Sequence, residues 1–287
     1  MPPTPAPTLP ALPDPVTSGA LPSGLTPRLR DVKDDLPAGY ADGCHLGFDD
    51  EASGDCVYGY PDGSSTVVLF GDSHAAQWLP AIEDVGFVRD WRVIGLTKSA
   101  CPPVDTTVWL ANKKREYREC EAWRQQAMER IAAERPAIVF LAAYHLYEMM
   151  EGDDRVAIAD DPTAWAEALT RTIQAIQATG AQVVLIADTP QLTVVPDECL
   201  ADHRDAVEAC LQEAADVVDA DYAQLERDVT QATGARLLSL TDVICPDGAC
   251  PLVFGTTPVY RDDQHLTATF ARGLAPIVDM WLDLEDG

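Results

Sequence analysis

The sequence predicts an α/β fold in which a central parallel sheet of about five strands carries helices on both faces. Five short apolar runs, rich in Val, Ile and Leu, have the continuous hydrophobicity that is typical of buried parallel strands. Segments with apolar residues at helical steps alternate with these runs along the chain. Such alternation indicates strand–helix–strand units, whose strands pair in parallel while their helices cover the sheet.

The predicted elements are bounded by residues that interrupt regular structure. Strands are predicted over 67–70, 91–96, 137–143, 182–187 and 236–240. Helices are predicted over about 75–85, 112–135, 163–179 and 203–233, and from near Thr267. Gly71 ends the first strand, Pro136 ends the second helix, and Gly180 caps the third. In open sheets of this kind ligands bind beyond the carboxyl ends of the strands, so we expect the functional residues there.

The N-terminal part of the chain differs from the rest in composition. Residues 1–30 contain nine prolines and predict an extended linker, and residues 31–65 predict an irregular lead-in pinned by a disulfide. The catalytic domain is then expected over residues 66–287. Residues 1–30 lack the apolar run of a signal peptide, and no stretch approaches the roughly 20 apolar residues of a membrane span. We therefore expect this chain to be a fragment, with its export signal or membrane portion upstream.

The charge of the chain restricts its partners. The formal net charge is −27, from 47 acidic and 20 basic residues. A negative field of this size repels phosphate backbones and anionic lipid surfaces, so we expect no nucleic-acid partner. The acidity itself is explained by solubility, or by adaptation to a salty or extracellular setting.

The cysteines predict an oxidising compartment outside the cytoplasm. The eight fall along the chain as four successive close pairs: Cys44 and Cys56, Cys101 and Cys120, Cys199 and Cys210, Cys245 and Cys250. Pairing of neighbours is the simplest of many possible connectivities, and four disulfides require an oxidising environment. Zinc is the alternative, but no pair has CxxC spacing and there are only five histidines, so we expect no metal.

The candidate nucleophile is Ser73. It lies in the sequence Gly71-Asp72-Ser73-His74, between the first strand and the helix that follows. Glycine permits a sharp turn there, and the N-terminus of the helix offers free N–H groups and a positive dipole that stabilise an oxyanion. A serine in this position is equally suited to be a simple helix N-cap, so the motif alone does not decide.

The candidate base lies near the other end of the chain. Asp262 and His265 are three residues apart in the sequence YRDDQHLT, which places a carboxylate within reach of the imidazole. A serine hydroxyl becomes a strong nucleophile only when a neighbouring base accepts its proton, and an imidazole suits that task. Asp263 is the rival orienting residue, although the spacing favours Asp262. Together the two motifs predict a Ser73–His265–Asp262 triad.

Both motifs resemble those of the SGNH (GDSL-type) hydrolase superfamily, and more closely those of SGNH domains fused behind the acyltransferase-3 membrane domain of bacteria. The matching text is VVLFGDSHAAQWLPAI, SACPPV, Cys120 followed by Trp123, VVLIADTP and YRDDQHLT, and the resemblance covers about residues 40 to 285. It implies a three-layer, flavodoxin-like fold and a Ser–His–Asp triad. It also implies transfer of O-acyl, usually O-acetyl, groups onto cell-surface glycans or glycolipids, with acyl groups brought across by the linked membrane domain.

The sequence departs from the wider superfamily at the oxyanion hole. Typical members carry a Gly after the second strand and a GxND segment after the third, whose Gly and Asn complete that hole. Here Ala142-Ala143-Tyr144-His145 follows the third strand without an Asn, as is common in the acyltransferase-linked subgroup. The N–H of Ser73 is the first candidate donor, and Ser99 or Ala100 would supply a second. The remaining oxyanion or substrate candidates are Asp72, His74, Tyr144 and His145.

Three functional hypotheses follow from these residues. The first is O-acyl transfer to a glycan or glycolipid hydroxyl through an acyl-Ser73 intermediate, with the acyl donor supplied by a linked acyltransferase-3-type domain. The second is a carbohydrate O-acetylesterase, in which water is the acceptor. The third is a non-catalytic glycan-binding module with the same fold. None of them requires a cofactor, and all place the domain at the cell surface or in the periplasm, tethered to a membrane domain. Trp109, in a loop, is a candidate platform for stacking a sugar.

Overall fold

A computed structural model of the chain describes residues 12–285. The strands in this part are β1 (His45–Leu46), β2 (Val57–Gly59), β3 (Ser65–Gly71), β4 (Trp91–Lys98), β5 (Trp109–Leu110), β6 (Arg115–Glu116), β7 (Ile138–Ala142), β8 (Glu148–Glu151), β9 (Asp154–Ala157), β10 (Gln182–Ile186), β11 (Gln212–Glu213), β12 (Arg236–Leu238), β13 (Ala249–Cys250), β14 (Val253–Phe254) and β15 (Thr257–Pro258). The α-helices are α1 (Ala38–Ala41), α2 (Ser73–Ala76), α3 (Leu79–Arg89), α4 (Arg118–Glu134), α5 (Pro162–Gln177), α6 (Pro196–Asp202), α7 (Ala214–Val217), α8 (Ala220–Thr233), α9 (Thr241–Ile244), α10 (Ala268–Gly273) and α11 (Ala275–Glu285). Short 3₁₀ helices cover Leu29–Asp34, Val207–Cys210 and Pro246–Gly248.

The central sheet confirms the predicted fold class and is larger than expected. Six strands pair in parallel in the order β1-β4-β3-β7-β10-β12, and β2 adds to β4 as an antiparallel seventh. The five strands predicted from apolar runs are β3, β4, β7, β10 and β12. The two additional strands come from the predicted irregular lead-in, where two and three residues are too few to show a periodic pattern.

The sheet separates two hydrophobic cores, as a three-layer fold requires. Val67 and Leu69 of β3 belong to one core, and Val68 and Phe70 belong to the other, because alternate side chains of a strand point to opposite faces. Residues from α3, α10 and α11 complete the first core, and residues from α4, α5 and α8 complete the second. Both faces of the central strands are therefore buried, which explains their continuous apolar runs.

Several helices differ in extent from the sequence prediction. The helix predicted over 112–135 begins only at Arg118, because residues 109–116 form the small β5–β6 hairpin. In the region predicted as helical over 203–233, the long helix α8 begins only at Ala220, where the Asp219 side chain caps the first turn, and a short 3₁₀ helix and α7 precede it. The last helix is divided into α10 and α11, and Thr267 caps α10 as a helix-start residue should.

The four disulfides join neighbouring cysteines along the chain. Cys44–Cys56 links the ends of β1 and β2, which occupy the same edge of β4 one after the other. Cys101–Cys120 ties the loop after β4 to the first turn of α4. Cys101–Cys120 thus fixes a loop at the carboxyl end of the sheet, and the number of bridges fits an oxidising, extracytoplasmic setting.

The Pro-rich N-terminal segment contacts the domain at several points of its described part. Residues 1–11 of the predicted linker, like residues 286–287 of the predicted domain, lie outside the described residues. From residue 12 onward, Leu25 is buried and Val16 donates its N–H to Val253. A linker composition does not predict these contacts. Within residues 12–285, no helix combines the length and the apolar character needed to cross a membrane.

Candidate active site

Ser73 lies at the carboxyl end of β3, where the chain turns sharply into α2. Gly71 has a φ of 155°, and a Cβ built on it would lie 2.1 Å from the carbonyl oxygen of Ala142 on the neighbouring strand. Only glycine fits this close approach, as the sequence predicts. The turn leaves Ser73 partly exposed as the first residue of the helix, and its N–H meets no acceptor within the described residues.

Asp72 has a structural position and does not face the substrate side, contrary to its prediction as a contact residue. Its side chain is fully buried and caps α2 by accepting a hydrogen bond from the N–H of His74 at 2.8 Å. It also accepts from the N–H of Tyr144 at 2.9 Å and from the hydroxyl of Tyr147 at 2.7 Å. The carboxylate therefore ties the Ser73 turn to the loop after β7, and its acceptor capacity is largely used.

His265 is oriented by Asp262, the residue that the spacing favours. Its Nδ1 lies 2.9 Å from each carboxylate oxygen, while its N–H and that of Gln264 donate to Oδ1 at 2.7 and 3.0 Å. Asp263, the rival orienting residue, is exposed. Although burial raises the pKa of Asp262, the hydrogen bond from His265 and the nearby Arg261 guanidinium outweigh it, and the pKa falls to about 2. A permanent carboxylate thus holds the imidazole.

The other ring nitrogen of His265 is free to act as a base. Nε2 is buried and has no hydrogen-bond partner within the described residues. Burial lowers the pKa of His265, and the neighbouring His74 and Arg261 lower it further, whereas Asp262 raises it; the net direction is downward. The ring is therefore a neutral imidazole near pH 7, with Nδ1 donating to Asp262 and Nε2 able to accept a proton.

Gln77 connects the Ser73 helix to the His265 loop. It follows α2, is buried, and accepts the N–H of Leu266 at 2.8 Å. Its Nε2 lies 3.3 Å from the hydroxyl of Thr189, which donates to the carbonyl of Gln264 at 3.2 Å. The sequence analysis missed this residue, although a glutamine one helical turn after a candidate nucleophile is a signal that could have found it.

A cavity of about 330 Å³ opens at this edge of the sheet. Ser73 and Gln264, the neighbour of His265, both line it, so the two distant motifs border the same cavity, while no hydrogen bond joins Ser73 to Nε2 of His265 within the described residues. The wall is completed by Phe48, Ala100, Trp109, Leu110, Ala111, Asn112, Tyr144, Leu146, Tyr147 and Glu148. Trp109, the predicted sugar platform, is among them, and it packs against the Arg155 guanidinium at 5.0 Å from the ring centroid.

The two candidates for a second oxyanion donor differ in the structure. The N–H of Ser99 donates to the carbonyl of Leu46 at 2.9 Å, and its hydroxyl lies 3.1 Å from Nε2 of His45. Ser99 is thus already engaged, contrary to its prediction as an N–H donor. Ala100 lines the Ser73 cavity with a φ of 49°, and its N–H has no acceptor among residues 12–285. Ala100 remains the candidate.

Of the other predicted residues, Tyr144 alone lines the Ser73 cavity. Its hydroxyl donates to Oε1 of Gln191 at 2.9 Å. His145 lines a separate cavity of about 650 Å³. His74 is buried under the site and bonds to Asp188. This position does not face the cavity, contrary to its prediction as a candidate for contact with substrate. In the part of the chain that the structure describes, no three His, Cys, Asp or Glu side chains are grouped to hold a metal ion.

The three-layer fold, with its candidate site at the edge of the sheet, is that of the SGNH hydrolases. Comparison with known families identifies the family within them. Residues 43–279 match the model of the SGNH domain fused to AT3 domains, so the chain belongs to that family. Among curated proteins, none matches this sequence.

A solved structure agrees with the fold. The periplasmic domain of a lipopolysaccharide acetyltransferase from Salmonella ser. Paratyphi A superposes with a TM-score of 0.60 at 15% identity, covering 86% of this chain and 88% of that chain. Looser similarity extends to the acetyl xylan esterase AlAXEase, with a TM-score of 0.42, 13% identity and coverage of 76% and 99%. A GDSL-like lipase from Bacteroides thetaiotaomicron gives a TM-score of 0.40, 13% identity and coverage of 77% and 89%.

Proposed function

We propose that this domain transfers O-acyl groups, most simply acetyl groups, to hydroxyls of cell-surface glycans or glycolipids through an acyl-Ser73 intermediate. The observation that carries the proposal is the Gln77 bridge, which joins the helix of Ser73 to the loop of a neutral, Asp262-oriented His265. The free Nε2 of His265 is the only proton acceptor that the reaction requires. Membership in a family fused to AT3 domains supports a linked membrane domain as the source of acyl groups.

The reaction divides into two proton-balanced halves. The hydroxyl of Ser73 attacks the acyl carbonyl while its proton passes to Nε2 of His265, and the leaving group takes that proton as the tetrahedral intermediate collapses. An acceptor hydroxyl then gives its proton to His265 and attacks the acyl-serine, and Ser73 recovers the proton when it is released. Asp262 stabilises the imidazolium in both halves, and the N–H groups of Ser73 and Ala100 face the oxyanion.

The acceptor is proposed to bind where the Ser73 cavity adjoins a second, larger cavity. Leu146, Tyr147 and Glu148 line both the Ser73 cavity and the larger cavity of about 650 Å³. The larger cavity has a mainly apolar wall and four carboxylates, from Glu148, Asp219, Asp221 and Asp228, and among residues 12–285 no Lys or Arg lines it. Because like charges repel, this lining favours neutral sugars over phosphorylated or uronic-acid units. The disulfides and the family support a position outside the cytoplasm.

Replacement of Ser73 tests the nucleophile directly. We expect Ser73→Ala to reduce turnover of an activated acetyl ester by at least about 10³-fold and to abolish the acetylated protein species seen by mass spectrometry. Ser239→Ala, at an exposed serine whose hydroxyl donates to that of Thr241, is the matched control and should retain full activity. Unchanged turnover by Ser73→Ala would remove Ser73 from the mechanism.

Product analysis separates transfer from hydrolysis. Neutral oligosaccharides offered with the activated ester should become acetylated in a Ser73-dependent manner. Ester hydrolysis with no transfer to any glycan would instead support the esterase. Failure of a fluorophosphonate probe to label Ser73 in the folded protein would support the non-catalytic binding module.

A further inference from the structure

Asp188 holds two histidines at the carboxyl end of β10. Its Oδ1 lies 2.5 Å from Nδ1 of His74, and its Oδ2 lies 2.7 Å from Nδ1 of His145 and accepts the N–H of His145 at 3.0 Å. The carboxylate is 6% exposed, so each contact is made in a medium that screens charge poorly. Buried carboxylates persist only when paired in this way, and none of these contacts belongs to the proposed triad.

His74 lies between Asp188 and the triad histidine. Its ring is 2% exposed and its centroid is 4.9 Å from that of His265 and 4.6 Å from that of Tyr144. Nε2 of His74 is buried without a hydrogen-bond partner within the described residues. His74 therefore touches neither solvent nor the Ser73 cavity, and it affects the reaction only through its neighbours.

The charges around His74 favour its cationic form. Burial disfavours that form, but Asp188, and to a smaller extent Asp72 and Asp262, outweigh burial, so the pKa of His74 is raised. Asp188 is itself ionised: burial raises its pKa, but His74 and His145 lower it by more, and the net pKa is about 2. Both shifts favour an imidazolium–carboxylate pair, and the 2.5 Å contact between Nδ1 of His74 and Oδ1 of Asp188 is the geometry that such a pair makes.

The groups that face His265 come from three parts of the chain. Asp262 is the anion on its own loop, and Arg261 and His74 are the cations. His45, on β1, also senses His265, but burial lowers its pKa to about 3, so it is uncharged near neutral pH. A cation beside an imidazole disfavours protonation of that imidazole, so His74 and Asp262 act on His265 in opposite directions.

We propose that His74, held by Asp188, is a positioning residue that places a fixed positive charge beside His265 and so extends the range over which His265 is an unprotonated base to lower pH. This inference rests on the proposed function for its kinetic consequence. It assigns the His of the GDSH sequence a role through His265 and not through the substrate. It also explains why Asp188, 114 residues after His74 in the sequence, is buried at the end of β10.

The kinetic test is the acid limb of kcat/KM for an activated acetyl ester, which reports the titration of the base in the free enzyme. In His74→Asn the amide keeps a donor for Asp188 but carries no charge. We expect the acid limb to move to higher pH while the plateau at alkaline pH changes less. His203→Asn, at an exposed histidine, should leave the limb in place. Superimposable acid limbs for His74→Asn and the unchanged chain would overturn the inference.

A second variant tests the same charge from the other partner. Asp188→Asn removes the anion that keeps His74 protonated and should shift the limb in the same direction, with no further shift in the double variant. Because Asp188 also holds His145, His145→Asn is the matched control and should not reproduce the shift. If His145→Asn alone shifted the acid limb, the effect would belong to His145 and not to His74, and the inference would be overturned.

An NMR titration of the ring protons of His265 separates this inference from the proposed function. The resonance is assigned by its loss in His265→Gln, and it should titrate at higher pH in His74→Asn than in the unchanged chain. If no ester is turned over by the intact domain, the proposed function fails while this titration still decides the inference. An unchanged His265 titration would overturn it whatever the activity.

Discussion

Replacing Gly71 with alanine is expected to disrupt the turn that carries Ser73. The added Cβ would lie 2.1 Å from the carbonyl oxygen of Ala142 and 2.8 Å from Cβ of Ala75. The first neighbour is strand backbone and the second is a helix side chain with no flexible end, so neither can move aside locally. Since carbon atoms normally approach no closer than about 3.5 Å, β3 and β7 or β3 and α2 must separate by about 1 Å.

The magnitude follows from two effects. Forcing atoms into a packed region costs about 1–3 kcal/mol, and a positive φ costs a non-glycine residue about 1–3 kcal/mol. We therefore expect Gly71→Ala to lower the free energy of unfolding by about 2–6 kcal/mol, and the middle of that range corresponds to a fall in Tm of about 10 °C for a domain of this size. Because Ser73 follows two residues later, ester turnover should fall more than stability alone explains.

Gly180→Ala is the matched control. Gly180 also has a positive φ, of 96°, but its added Cβ would have no atom within 4 Å. Its cost is the φ term alone, reduced by the lower entropy of the unfolded chain, so we expect at most about 2 kcal/mol. Urea unfolding followed by tryptophan fluorescence measures both variants. Equal midpoints for the two variants would refute the steric argument, as would a Gly71→Ala protein with unchanged activity.

Two further predictions concern the loops around the site. Nζ of the buried Lys98 donates to three carbonyls of the 47–50 loop. Lys98→Met should therefore destabilise the domain by about 2–4 kcal/mol and expose that loop to proteolysis. An unchanged cleavage pattern would contradict this prediction. Replacing both cysteines of Cys101–Cys120 by alanine should cost about 1 kcal/mol more than doing so for Cys245–Cys250, since the closed loops differ in sequence separation, 19 against 5. Urea midpoints of the two double variants check the order.

The layered fold could be predicted from the sequence because its signals are local. β3, β4, β7, β10 and β12 are buried on both faces, and a continuous apolar run reports that burial directly. β1 and β2 could not be predicted in this way. Each is too short to show a pattern. Both pair with the same edge of β4, which is longer than either strand, and Cys44–Cys56 links them there.

The site was predictable in its location and less so in its side-chain directions. Ser73, Asp262 and His265 could be named as candidates because a turn and a three-residue spacing are local features. Asp72 and His74 also follow a strand, and nothing in the sequence separates a side chain that faces the substrate from one that points beneath the turn. The partners that fix His74 and Ser73 lie far along the chain, at Asp188 and at the loop that Gln77 reaches, and only the tertiary structure joins them.

Two buried carboxylates at the carboxyl end of the sheet have the same structural role, which is to join separate segments of the chain. Asp72 and Asp188 each accept hydrogen bonds from two different segments, and both hold the Tyr144–Tyr147 segment by its N–H groups. Since a buried carboxylate that loses a partner retains its full desolvation penalty, each of them makes the loop after β7 dependent on the turn after β3. That loop forms the wall shared by both cavities, so the position of the proposed acceptor is coupled to the turn that presents Ser73.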